Sequence, residues 1–212
     1  IIGLAQGLGY RVTTTTTGKR LLHDEAFVQD FLTNPPQLLA VSADDFESLD
    51  ELQRLLDMSP ADLRRYWQKA NPLYGQRKKA YESIYVAQLL RQQPERCALL
   101  FNIVVHPGNL HFVDDLMCNL HERFPQAWLN PYPAQASFSL GQIEWEPADV
   151  PRLGAFIESM VERQISQAAN GRHILVPRLP YWLALRSACL ASHDLDEAAR
   201  YLMGYGVWTC YR

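Results

Sequence analysis

Residues 38–45, reading LLAVSADD, constrain the fold more than any other stretch of the chain. A nearly unbroken small and apolar run passes straight into a hydroxyl and two carboxylates. A strand buried on both faces of a parallel sheet has this composition, with its polar residues just past the carboxyl end. Barrels and open α/β sheets build their sites at that edge, so Ser42, Asp44 and Asp45 are the first candidates for chemistry. The competing role for Ser42 and Asp44 is to cap the helix that follows.

The flanking segments repeat the theme. Residues 1–8 read as the last turns of a helix, ended by Gly9 at the position that favours a left-handed residue. Residues 10–16 (YRVTTTT) are dense in β-branched side chains and read as a strand, and Thr17-Gly18 turns the chain. Residues 24–32 form an acid-started helix stopped by Asn34-Pro35-Pro36. After residues 38–45, a helical region over 46–56 is restarted by Ser59-Pro60 into an amphipathic helix ending before Asn71-Pro72. A loop over 71–76 leads to a long helix over 77–92. Residues 97–105 (CALLFNIVV) are the strongest strand, closed by the turn His106-Pro107-Gly108-Asn109. A helix over 112–123 follows, then a short strand over 127–130 broken by Pro131 and Pro133. Strands separated by helix-length connections demand parallel βαβ units, so the expected class is α/β. Beyond residue 135 the alternation stops. Residues 138–145 read as an outlying strand, and helices are expected over 150–168, 181–191 and 195–202.

A formal net charge of −3 offers no basic footprint, so nucleic acid is not the expected partner. No apolar run reaches the roughly 20 residues that span a membrane. The four cysteines, Cys97, Cys118, Cys189 and Cys210, are widely scattered with no CxxC pair, which fits a reducing, cytoplasmic compartment. The chain opens at Ile1 within an apolar segment and stops at VWTCYR, and it reads as a fragment of a longer protein.

Four features occur in one order: a strand ending in Thr16-Thr17-Gly18 and followed by KRLL, a strand ending VSADD, a strand reading NIVVHPGN (residues 102–109), and LNPYPAQ (residues 129–135). Their order and spacing resemble the latter two-thirds of a radical S-adenosylmethionine (radical SAM) domain, over about residues 1–135. The resemblance implies a partial parallel (β/α)6 TIM-like barrel, with residues 136–212 as a mainly helical C-terminal segment. It also implies S-adenosylmethionine as cofactor and a [4Fe–4S] cluster. Reductive cleavage of that cofactor would yield a 5′-deoxyadenosyl radical that abstracts hydrogen from a substrate, with peptide or protein modification as one class. Such enzymes draw electrons from a donor such as flavodoxin or ferredoxin. The family's CxxxCxxC loop and Gly-Gly-Glu segment are absent from the 212 residues and would lie before Ile1. Trp208-Thr209-Cys210 resembles the entry to a SPASM or twitch-type extension, which makes Cys210 a candidate ligand of an auxiliary cluster.

By its position in that pattern, Ser42 is expected to bond the ribose of S-adenosylmethionine, with Asp44 beside it. Asn102 would bond the ribose or the methionyl group if it faces the lumen; otherwise it is a satisfied core amide. Arg77 follows the loop where the family often places an Arg for the methionyl carboxylate, with Arg54, Arg64 and Arg65 as competitors. Thr16 and Thr17 line the same rim, or are a polar edge strand. Asn109 first fixes its own turn. Asn130, Tyr132 and Gln135 are expected to face the substrate.

Other constellations carry less. His106, His111 and His121 straddle a turn and a helix. Glu144 and Glu146 alternate with Trp145 like the wet face of a strand. Gly3, Gly7 and Gly9 follow no strand and do not make a dinucleotide fingerprint. Two other functions compete with the radical SAM reading. One is a non-radical barrel enzyme using Asp44, Asp45 and nearby histidines; the other is a non-catalytic barrel scaffold for protein interaction.

Overall fold

The computed structural model describes residues 2–43, 45–69, 79–91, 95–134, 146, 148–171, 174–176 and 178–192. The chain divides into two units, one built from Ile1–Val104 and Phe112–Tyr132, the other from Val105–His111 and Pro133–Arg212. The first is α/β and holds nearly all of a four-stranded parallel sheet in the order β1-β2-β3-β4.

Chain punctuation explains most of its element ends. Helix α1 (Ile2–Gly7) closes in a Schellman motif: Gly9 takes φ +83°, Tyr10 N–H donates to the Ala5 carbonyl at 3.0 Å, and Gly9 N–H donates to Gln6 at 2.9 Å. Strand β1 (Thr13–Thr16) covers only the threonine run. A short helix over the KRLL segment, α2 (Lys19–His23), separate from the one expected over 24–32, starts immediately after Gly18 and buries Leu21 and Leu22. Asp24 then caps α3 (Glu25–Thr33), its Oδ1 accepting from Phe27 N–H at 2.9 Å.

Strand β2 (Leu38–Ser42) is followed by α4 (Leu49–Asp57), α5 (Pro60–Lys69) and α6 (Lys79–Leu90). Strand β3 (Ala98–Val105), α7 (Val113–Arg123) and β4 (Trp128–Pro133) complete the series. When strands follow one another in order, crossovers of the usual hand place every connecting helix on one face. The contacts agree: α4 touches both α6 and α7, and α6 packs on β2. The Leu56 carbonyl, in the unpaired last turn of α4, accepts from Gln88 Nε2 at 2.9 Å and from an Arg123 guanidinium nitrogen at 2.6 Å. Helix α6 is buried on all sides from Ala80 to Gln88, including the polar Glu82, Ser83 and Gln88.

One expectation fails at β4. Pro131 and Pro133 do not break this strand, which runs through both to residue 133. Among the described strands β4 is last in the order, where a strand needs only one of its two hydrogen-bonding rows, so the missing proline N–H groups are tolerated.

Register assigns the two faces. Thr13, Leu38 and Ala98 are aligned; so are Thr15, Ala40 and Leu100, and beyond them Ser42 and Asn102. The intervening residues Leu39, Val41, Phe101 and Ile103 are almost fully buried and form the helix-covered face. On the other face Thr13, Thr15, Ala98 and Trp128 are exposed, whereas Ala40, Leu100 and Asn130 are buried.

The second unit contains a helical hairpin of α8 (Val150–Asn170) and α9 (Leu179–Ser192), near the expected limits. Leu153, Phe156, Ile157, Met160 and Val161 form the buried stripe of α8, and Phe156 meets Trp182 edge-on at 5.9 Å. Two glutamines of α8 hold the returning chain. Gln167 Oε1 accepts from Ile174 and Leu175 N–H, and Gln164 donates to the Val176 carbonyl while accepting from Arg178 N–H. The strand expected over 138–145, the helix over 195–202 and the loop over 71–76 lie outside the described residues.

Candidate functional site

The most polar part of the sheet interior is a row crossing three strands. Ser42 is the last residue of β2 and the register partner of Asn102 on β3, and Ala43 N–H extends the ladder by donating to the Asn102 carbonyl at 2.7 Å. Asn130 of β4 lies on the same face, its Nδ2 donating to Asn102 Oδ1 at 2.7 Å. Alternation along β4 adds Tyr132 to this face, half-buried. Four residues singled out in the sequence are thus brought together by a parallel register.

Their hydrogen bonding is incomplete. Asn130 is 4% exposed, and its Oδ1 is buried without a partner. Exchanging O and N in both amides would keep the bond, with Asn102 Nδ2 donating to Asn130 Oδ1, and leave the Asn130 nitrogen alone, so one unmatched polar atom persists either way. Asn102 is half-buried, and its one side-chain bond is the one that it accepts from Asn130. Ser42, also half-buried, makes no side-chain bond among the described residues. Of the three only Asn130 is buried, and buried polar groups are almost always satisfied; the half-buried Ser42 and Asn102 have valences open to water or to a polar molecule. The three are neutral, so recognition here rests on hydrogen-bond pattern rather than charge.

Capping does not account for Ser42. Helix α4 begins at Leu49 and is capped by Ser48, whose Oγ accepts from Glu51 N–H at 3.2 Å, while Glu51 accepts from Glu47 N–H at 2.8 Å. Asp45 lies beyond the strand, half-buried. Asp44, Arg77, Gln135 and Cys210 lie outside the described residues.

Thr16 is not brought to the row. It faces the helices with Val41 and Phe101, and its Oγ1 accepts from Gly18 N–H at 3.0 Å, shaping the turn. Thr17 is exposed in that turn. Asn109 does fix its own turn: its Oδ1 accepts from His106 N–H at 2.9 Å, and His106 Nδ1 accepts from Gly108 N–H at 3.2 Å.

The competing arginines are engaged locally. Arg54 donates to Tyr81 Oη at 2.6 Å and lies over the Tyr66 ring at 4.9 Å. Arg64 donates to Tyr85 Oη at 2.8 Å and pairs with Glu25, and Arg65 pairs with Asp62. Burial raises the Tyr81 phenol above its ordinary pKa, against the pull of Arg54; Tyr85 is raised likewise, against Arg64.

Asn130, expected to face the substrate, has Asn102 as its hydrogen-bond partner, a pairing that the sequence reading did not name. The available signal was parity. Asn102 and Asn130 each sit among apolar neighbours, and polar residues at such positions on adjacent strands pair when their faces coincide. In comparisons of the chain with family models, curated proteins and solved structures, none matches.

Proposed function

We propose that this chain carries the S-adenosylmethionine-binding part of a radical SAM enzyme, with the sheet as a segment of a partial TIM-like barrel. The observation that carries this reading is the row of Ser42 Oγ, Asn102 Nδ2 and Asn130 Oδ1, three neighbouring polar groups with open valences on one face of a parallel sheet. The sequential order β1-β2-β3-β4 supports the barrel, because a doubly wound sheet reverses direction within its order.

The residues fit the cofactor's nucleoside end. Ser42 Oγ donates to or accepts from a ribose hydroxyl, and Asn102 Nδ2 donates to a second oxygen. Asn130 Oδ1, buried and unmatched, accepts an N–H or O–H from the bound molecule and so offsets the roughly 1–3 kcal/mol that an orphaned buried group costs. Neutral groups suit this end, since a ribose brings no charge that needs matching. Asp44 and Arg77 belong to the same reading, outside the described residues. When bound at a cluster, the cofactor supplies reductive cleavage and hydrogen abstraction, with electrons from a small donor protein.

The cluster itself finds no cradle here. Among the described residues no three His, Cys, Asp or Glu side chains gather, and this reading requires the cluster's ligands to lie outside them. No step is derived through it.

The test is made on the full-length protein, reconstituted anaerobically with iron and sulfide. The expected result is a cluster whose spectrum changes on adding S-adenosylmethionine. Ser42→Ala should weaken that binding about five- to tenfold, the worth of one hydrogen bond, with the cluster spectrum intact. A full-length sequence without the three-cysteine loop, or a Ser42→Ala protein with unchanged affinity, would sink the proposal.

A further inference from the structure

We propose that the pocket at the amino ends of β3 and β4 binds a small monocarboxylate, with its apolar, one-ring body inside and its carboxylate against Arg91. This site is separate from the S-adenosylmethionine reading, and either can fail without the other.

The walls are apolar. Ala87 and Leu90 near the end of α6, Leu99 of β3, and Phe124 and Ala127 from the connection between α7 and β4 line the pocket, and all are buried. Its volume is about 230 Å³. An apolar cavity of about 150 Å³ already holds a benzene ring, so this one accommodates a ring with a short arm. The buried Cys97 thiol also lines it, but burial pushes that group from 9.0 up to about 11. At neutral pH the wall therefore brings no thiolate to repel a carboxylate.

The charge lies at the mouth. Arg91 and Gln126 line the pocket and are exposed, which sets a guanidinium and an amide where it meets solvent. The main-chain N–H of Arg91 donates to the Ala87 carbonyl at 2.9 Å, and its guanidinium makes no hydrogen bond or ion pair among the described residues. Nearby Arg96 is committed elsewhere, donating to the Leu32 and Thr33 carbonyls at 2.9 and 2.7 Å. A free cation at the rim of an apolar pocket selects an anion with an apolar body, and a guanidinium fork suits a carboxylate. Arg91 also follows the carbonyl end of α6, where a cation is favoured with no ligand present. The two roles differ in what they predict for binding.

The experiment follows the methyl resonances of Ala87, Leu90, Leu99 and Ala127 by NMR in the full-length protein, isotope-labelled at alanine and leucine methyls. Phenylacetate, phenylacetamide and acetate are added in turn. Phenylacetate should shift these methyls saturably. Phenylacetamide, of the same shape without the charge, should bind about fivefold more weakly, as expected of one solvent-facing ion pair. Acetate, which lacks the ring, should leave the methyls in place. Arg91→Gln, a change at an exposed position, should bring phenylacetate down to the affinity of phenylacetamide and leave the amide's own affinity unchanged.

If phenylacetate leaves the four methyls unmoved, the pocket is not such a site, and this arm needs no variant to fold. If wild type binds acid and amide within about twofold, or Arg91→Gln weakens both alike, Arg91 serves α6 alone and the proposal is overturned.

Discussion

Gly18 shows how one residue ties the turn after β1 to the core. It holds φ +85°, and an added Cβ would sit 2.7 Å from the Glu82 carbonyl oxygen and 2.7 Å from Val86 Cγ2, both on α6. The carbonyl is helix backbone and cannot swing aside. Gly9, at φ +83° with nothing within 4 Å of its would-be Cβ, meets the dihedral penalty without the clash. Gly9→Ala should therefore cost about 1 kcal/mol, and Gly18→Ala about 3 kcal/mol or more, in urea unfolding. Equal losses would mean that α6 yields at that contact. Thr17-Gly18 was readable as a turn, but its contact with a helix more than 60 residues later was not. Asn130 is the comparable case at the site: its strand was readable, its partner Asn102 was not.

At the scale of the element, two serines separate local from ligand-directed roles. Ser48 caps α4, so Ser48→Ala should cost about 1 kcal/mol of stability. Ser42 ends β2 with no side-chain bond among the described residues, so Ser42→Ala should leave stability within about 0.5 kcal/mol while weakening ligand binding. Thermal melts of the two variants decide this; a large loss at Ser42 would mean a structural role. The α5 start was legible from Ser59-Pro60: Ser59 Oγ accepts from Asp62 N–H at 3.1 Å and donates to Asp62 Oδ2 at 2.7 Å. β4 was less legible, because proline stops a central strand but not an edge strand, and edge position depends on the order of the whole sheet.

At the scale of the molecule, burial makes the fold sensitive to alkali. Cys97 is buried and its thiol is pushed from 9.0 up to about 11, and the Tyr81 and Tyr85 phenols are raised too. Each group is held protonated more firmly in the folded state than in the unfolded one. Its contribution is therefore complete below the unfolded value and is lost as pH rises through the folded value. Urea midpoints should be flat on this account from neutral pH to about 9 and then decline, with the thiol acting first and the phenols above about 10. Cys97→Ala should remove the earliest part of the decline. In native protein at pH 8, alkylation mapped by mass spectrometry should label exposed Cys118 and spare Cys97. Rapid labelling of Cys97 would show that the pocket beside it, lined by Ala87, Leu90, Phe124 and Ala127, opens freely. No helix among the described residues is long and apolar enough to cross a membrane.

Local chemistry was sufficient for the periods and the punctuation. Apolar runs marked β2 and β3, helical spacing marked α7 and α8, and Gly9, Asp24 and Ser59 marked ends, because caps and periodicity act over a few residues. The α/β class followed from the lengths between strands. Sheet order, strand register and the face each polar residue occupies were decided by the tertiary structure, since a shift of one residue in pairing would turn Ser42 away from Asn102 without altering any local preference. Whether Asn130 meets solvent, substrate or another amide depends on which strand lies beside it, and that pairing joins residues 28 positions apart in the chain.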